Sequence, residues 1–320
     1  MSLRPLGISN LNVSSVALGC WPITGMTTLG ATRSESLKTI RAAIDCGINF
    51  LDTAYAYGIN GESEQMIGEV VRSCRSQVVI ASKGGLHRVG RAQDYDGRRE
   101  TIHRECEESL QRLGTDHIDL YYLHAPDPRT PISETAAAIL ELVQSGKVLT
   151  AGASNLTVEQ LEEFHGICPL TAVQPHYNML QREIEVDIVP WCVRNHVSLC
   201  VYWPLMKGLL AGKLRRDHQF EAGDGRAKYP MFQGAEWQKN QDFLDDLKTI
   251  ATACQATVAQ LVIAWTIRQP GITSALCGAK RDWQIQETAA AMNLTLSDET
   301  LTAIQRALDK RGPTVSRSAV

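Results

Sequence analysis

The chain has 320 residues, 44% apolar and 21% charged, a globular balance that excludes a disordered polymer. Its 32 Lys and Arg against 35 Asp and Glu leave a net charge of −3, so no general basic excess argues for a nucleic-acid or membrane partner. No apolar run approaches the ~18 residues of a membrane span, MSLRPLGISN lacks the apolar stretch of a secretory signal, and nine scattered cysteines without a C-x-x-C pair suit neither a disulfide framework nor a metal site. We therefore expect a cytoplasmic protein with reduced thiols and no metal.

In chain order, short apolar runs at 14–20, 49–54, 78–83, 118–124, 149–154, 170–175, 198–203 and 273–278 read as strands buried on both faces. Amphipathic stretches separate most of them. The first, ESLKTIRAAIDCG, lines up Leu37, Ile40 and Ile44 and stops at Gly47. SEQMIGEVVRS, ETIHRECEESLQRLG, SETAAAILELVQSG and TVEQLEEF follow, and IEVDIVPWCVRN is expected to break at Pro190. WQKNQDFLDDLKTIATAC and TVAQLVIAWTIRQ precede the eighth strand, and SDETLTAIQRALDKR ends the helical pattern. Eight strand–helix alternations predict a single-domain α/β fold, a (β/α)8 TIM barrel over 1–312, with a flexible tail at 313–320. An open doubly wound sheet is the runner-up, but no G-x-G-x-x-G follows the first strand. The irregular stretch 214–234 exceeds ordinary loop lengths and reads as a lid.

Catalytic groups of such barrels sit where strands end at the C-terminal face. There the sequence places Asp52, followed by Tyr55 and Tyr57, then Lys83, His124, Ser154 with Asn155, and Gln174. An ammonium stabilises a nearby phenolate, a carboxylate keeps that ammonium charged, and an imidazole can hydrogen-bond a substrate oxygen. Such a set can give a proton to a carbonyl oxygen but supplies no electrons, so it needs a hydride donor, for which a nicotinamide cofactor is the common choice. A metal-dependent isomerase fits poorly, because His103 and His117 fall away from the strand ends and His176 stands alone.

GINFLDTAYAYG (47–58), ASKGG (81–85), RLGTDHIDLYYLHAPDP (112–128), SGKVLTAGASN (145–155), QPHYN (174–178), YWPLMKGLLAGK (202–213) and GAKR (278–281) resemble, in order, the motifs of the aldo-keto reductases. The likeness is strongest to the bacterial branch that includes relatives of potassium-channel β subunits. It implies an oxidoreductase that reduces an aldehyde or ketone, or oxidises the corresponding alcohol or sugar. By the same resemblance Tyr57 is the general acid/base, Lys83 lowers its pKa, Asp52 pairs with Lys83, and His124 orients the carbonyl. Tyr55 becomes a pocket-lining neighbour. Ser154, Asn155 and Gln174 are expected at the nicotinamide carboxamide and Tyr202 at its ring. The segment from Trp203 to Lys213, including Pro204, Leu205 and Gly208, is expected at the pyrophosphate under a lid carrying Arg226. Gly278, Lys280, Arg281, Gln284 and Glu287 are expected at the adenosine end. Lys280 and Arg281 suit a 2′-phosphate, so the expected cofactor is NADPH.

Two positions depart from the family pattern. Ala125 stands where many members carry Trp, and Trp203 where Ser is frequent. The first enlarges the pocket beside His124. Trp21, Ile23, Leu86, His87 and Met179 are further candidates for an apolar substrate rim. The second functional reading is a cofactor-binding partner protein with little turnover, like the channel subunits.

Overall fold

All eight expected strands form, and they close on one another. In the computed structural model, which describes residues 3–25, 30–89 and 92–314, the barrel strands are Val16–Gly19, Phe50–Asp52, Val79–Gly84, Ile118–Leu123, Val148–Ser154, Leu170–Gln174, Ser198–Tyr202 and Ile272–Gly278. They lie side by side in chain order and every pairing is parallel. The eighth closes on the first through Ala275 opposite Val16 and Gly278 opposite Gly19. Parallel neighbours need crossovers, and the helices supply them.

The helices are α1 (Arg33–Asp45), α2 (Glu62–Val71), α3 (Arg99–Leu113), α4 (Ile132–Gln144), α5 (Val158–Ile167), α6 (Ile188–Arg194), α7 (Gly234–Ala253), α8 (Val258–Thr266), α9 (Asp282–Ala289) and α10 (Asp298–Arg311). Thr157 and Thr257 start α5 and α8 with capping boxes closed by Gln160 and Gln260. The expected break around Pro190 falls earlier. Glu183–Glu185 is a separate 3₁₀ turn, Asp187 caps α6, and Pro190 sits within the first turn, where its missing N–H has no intrahelical partner to lose. Two elements carry no signal in the sequence pattern above: α9, and the hairpin that pairs Leu86–Val89 with Ala92–Tyr95.

Two apolar cores result. One fills the space between strands and helices. The other fills the barrel itself with Ala17, Phe50, Val79, Ala81, Leu120, Tyr122, Ala172, Cys200 and Leu276, joined by Leu6 and Val13. Leu6 and Val13 belong to an N-terminal segment whose Arg4–Pro5 and Asn12–Val13 strands pair in front of the first barrel strand. They close the end opposite the site. Gly152 admits the Tyr122 ring into the barrel; a Cβ there would come within 2.4 Å of it. Beyond α10, Arg311 donates to the carbonyl of Pro313 at 2.6 Å and Thr314 to Glu236 at 3.1 Å, so the first two residues of the expected tail are held. Residues 315–320 lie outside those described. Among the described residues no single helix is long and apolar enough to cross a membrane.

Candidate active site

Asp52 ends the second barrel strand, Lys83 stands one residue before the end of the third, and His124 follows the fourth. Asp52 and Lys83 are 2% and 1% exposed, so neither charge can be left to water. Each is instead fully occupied. Lys83 Nζ donates to Asp52 Oδ1 at 2.7 Å, to the Thr53 carbonyl at 2.7 Å and to the Tyr57 phenol oxygen at 3.4 Å. The other Asp52 oxygen accepts from Gln174 Nε2 at 2.7 Å. Burial pushes the Asp52 carboxyl up, against the pull of the Lys83 ammonium and the hydrogen bonds from Lys83 and Gln174.

Tyr57 reaches this cluster from a tight turn. Its N–H donates to the Ala54 carbonyl at 3.0 Å, and its own carbonyl accepts from Ser63 in the first turn of α2 at 3.3 Å. Gly58 follows at φ 107°, where a Cβ would fall 1.9 Å from the Glu62 carboxylate, so the turn requires glycine. The Tyr57 ring meets Trp21 edge-on at 5.0 Å between centroids and His124 at 5.9 Å. Burial pushes its phenol well above the ordinary range, and the Asp52 charge adds to the shift. With its phenol raised in this way, Tyr57 is protonated at neutral pH.

Tyr55 turns the other way. Its hydroxyl donates to Glu108 on α3 at 2.8 Å and the Arg112 guanidinium lies 4.3 Å from its ring centre. It is not the pocket-lining neighbour expected from the sequence. The rim candidates also divide. Trp21 stands against Tyr57 and Ala125 is buried beside His124, whereas Ile23, Leu86 and Met179 are core residues and His87 faces Glu105 at 3.0 Å.

Around the mouth, Ser154, Asn155, Gln174 and Tyr202 form one network. Ser154 donates to the Gln174 carbonyl at 2.8 Å, Asn155 Nδ2 to Ser154 Oγ at 3.0 Å and to the His124 carbonyl at 3.1 Å, and Tyr202 to Asn155 Oδ1 at 2.7 Å. Gln174 therefore spends its amide nitrogen on Asp52, a link that spacing alone does not reveal. Asn155 itself has φ 61°, a left-handed conformation that Asn tolerates.

After the seventh strand the backbone is unusual. Trp203, Met206, Lys207, Gly208 and Gly212 all have positive φ, with Pro204 buried and Leu205 half-buried between them. Strained conformations of this kind cluster at binding sites, and turns of mixed handedness present N–H groups to anions. Lys207 Nζ lies 3.3 Å above the Trp203 ring and 4.3 Å from that of Tyr229, tying this segment to the 214–234 stretch. That stretch holds two 3₁₀ turns, Gly225–Lys228 and Pro230–Phe232, the second anchored by buried Met231 and Phe232. Its Arg226 pairs with Asp224 at 2.7 Å and lies near Gly208. Lys213 pairs with Glu287 and stands 4.3 Å from the Trp283 ring.

At the far end, Gly278 packs on the turn Trp21–Thr24; a Cβ there would sit 2.9 Å from Pro22. Lys280 and Arg281 follow and donate their N–H groups to Gln284 Oε1 at 2.9 and 3.2 Å. Gln284 is thus the cap of α9, and Glu287 the partner of Lys213. A neutral polar cluster, an aromatic ring, a strained glycine turn and five cations, Lys207, Lys213, Arg226, Lys280 and Arg281, follow one another along the chain. This donor set fits a nicotinamide dinucleotide, which needs amide, stacking and phosphate contacts in turn.

Residues 15–309 match the model of the Aldo/keto reductase family. The chain is 36% identical over 302 residues to aldo-keto reductase YhdN of Bacillus subtilis, covering 93% of this chain and 91% of that one. It is 35% identical over 321 residues to an NADH-specific methylglyoxal reductase of Escherichia coli, covering 95% and 98%. A glycerol dehydrogenase structure from Gluconobacter oxydans superposes with a TM-score of 0.90 at 34% identity, covering 99% and 98%. These relatives are named for reduction or dehydrogenation, which favours an enzyme over a partner protein. A barrel of this topology, matched end to end at this identity, belongs to the aldo/keto reductase family of oxidoreductases, which interconvert carbonyl and alcohol groups with a nicotinamide cofactor.

Proposed function

We propose that this chain reduces a small aldehyde or ketone, or oxidises the corresponding alcohol or sugar, with Tyr57 exchanging the proton at the substrate oxygen. The observation that carries the reading is the contact of Lys83 Nζ with the Tyr57 phenol at 3.4 Å while Asp52 holds the same ammonium at 2.7 Å. When bound, the nicotinamide supplies or takes up the hydride. The chain's own part is acid–base and positional. In reduction the Tyr57 O–H gives its proton to the oxygen that gains charge, and the Lys83 ammonium stabilises the phenolate left behind. Asp52 keeps Lys83 charged and aimed, and Gln174 fixes Asp52. His124 meets the Tyr57 ring edge-on at 5.9 Å between centroids and is suited to hydrogen-bond the same oxygen. In oxidation each transfer reverses.

Ser154, Asn155 and Gln174 are suited to the carboxamide, Tyr202 to the ring, and the 203–213 turn with Lys213 and Arg226 to the pyrophosphate. Lys280 and Arg281 support a preference for NADPH, because the 2′-phosphate is the large difference between the cofactors. A relative 35% identical is named NADH-specific, so the argument for NADPH rests on this chain's own charges. The test is a screen of cofactor absorbance over aldehydes, ketones, alcohols and sugars with both phosphoforms. Turnover of at least one carbonyl or alcohol class, faster with NADPH or NADP, is expected. No turnover with any class would overturn the reading, and faster turnover with NADH would overturn the cofactor preference.

A further inference from the structure

Three cations assigned to phosphates each have a carboxylate partner within the chain. Lys213 pairs with Glu287, Arg226 with Asp224, and Arg281 with Glu35. The third pair differs from the others in its reach. It joins the turn after the eighth strand to the first turn of α1, and the same guanidinium donates to the Gly30 carbonyl at 2.9 Å. Glu35 is itself fixed. Thr32 Oγ1 donates to its carboxylate at 2.7 Å, and its N–H donates back to Thr32 at 3.4 Å. The Thr32 hydrogen bond, with the Arg281 charge behind it, holds the Glu35 carboxyl below its ordinary range. The group is therefore an anion across the neutral pH range.

We propose that Glu35 sets the margin by which this protein distinguishes phosphorylated from unphosphorylated nicotinamide dinucleotides. The inference rests on the reading that Arg281 meets the 2′-phosphate. To engage Arg281, a 2′-phosphate must draw it from Glu35 and then lie beside a fixed negative charge. A 2′-hydroxyl meets no such repulsion and can donate to the carboxylate, the arrangement by which acidic residues bind ribose in other dinucleotide sites. Glu35 thus holds the NADPH preference below what Lys280 and Arg281 alone would give. Both side chains are about one-third exposed, 31% for Arg281 and 36% for Glu35, so water screens the effect. A unit charge a few ångströms from a dianion in such surroundings corresponds to roughly 3–10-fold in relative affinity.

The experiment is fluorescence titration of wild type and Glu35→Gln with NADPH and NADH, with 2′,5′-ADP and 5′-AMP as competitors. The ratio of NADH to NADPH dissociation constants is expected to rise roughly 3–10-fold in Glu35→Gln, with 2′,5′-ADP gaining on 5′-AMP alongside. The gain should shrink at about 0.5 M salt, and Glu35→Asp should return the ratio toward wild type. A merely structural role in α1 would move both cofactors together and show none of this salt dependence. An unchanged ratio overturns the inference. Arg281→Ala separates the two levels of argument. Selective loss of NADPH with no effect of Glu35→Gln removes Glu35 alone, whereas equal loss of both cofactors removes the 2′-phosphate assignment beneath it.

Discussion

Replacing Lys83 by Met removes the ammonium but keeps the length and apolar stem of the side chain. Asp52 then remains in the barrel at 2% exposure with only Gln174 to hold it. Breaking a buried ion pair from one side costs about 3–5 kcal/mol, because the remaining charge is uncompensated. For a chain of this size that corresponds to a fall in Tm of roughly 5–10 °C. The sign of the pH dependence follows from the shift. Burial already raises Asp52, and Lys83 is the chief force opposing it, so without Lys83 the carboxyl rises further. The deficit of Lys83→Met is therefore largest where Asp52 is ionised and narrows as pH falls through its raised pKa. Adding Asp52→Asn should recover much of the loss, since a neutral amide needs no cation. Thermal unfolding of the two single variants and the double variant across pH gives the coupling directly, expected at about 2 kcal/mol. Losses that add, with no dependence on pH, would refute the claim that the pair is held by charge.

Replacing both Lys280 and Arg281 by Ala should weaken NADPH by at least about tenfold more than NADH, read as dissociation constants, and the gap should close with salt. Hydrogen exchange over 214–234 should slow on adding cofactor, since its Tyr229 and Arg226 already lie against the glycine turn after the seventh strand; equal rates in both states would deny it a lid's role. Glu105, buried behind the third strand and bonded to Gly85 N–H at 2.7 Å, is pushed up to about 7 by burial. Its contribution is full below the ordinary carboxyl value of 4.5 and is lost as pH rises to about 7, so Glu105→Gln should flatten the pH–stability curve between about 4.5 and 7, by an amount on the order of 3 kcal/mol.

The barrel was legible because strands buried on both faces leave continuous apolar runs, and all eight did so within two residues of their ends. Asp52, Lys83 and His124 were legible for a related reason, since a polar residue closing such a run must face the barrel mouth. The misses share a different cause. α9 follows a cap made by Arg281 and Gln284 rather than by a short polar residue, so no start signal marks it. Tyr55 and Tyr57 look equivalent along the chain; Glu108, 53 positions later, and Arg112, both on α3, draw one away. The bond from Gln174 to Asp52 spans 122 positions and that from Arg281 to Glu35 spans 246, distances over which no local pattern carries information. Individual motifs located the residues, but only the closed barrel shows which of them hold each other.

The central claim is that the Tyr57 phenol moves the proton. Single-turnover kinetics of Tyr57→Phe, with cofactor affinity measured on the same sample and Tyr55→Phe run beside it, tests this most directly. Loss of the general acid should slow the chemical step about 10²–10⁴-fold while cofactor affinity holds, and Tyr55→Phe should retain turnover because its hydroxyl is committed to Glu108. Near-normal turnover by Tyr57→Phe, above all with a dead Tyr55→Phe, would contradict the account.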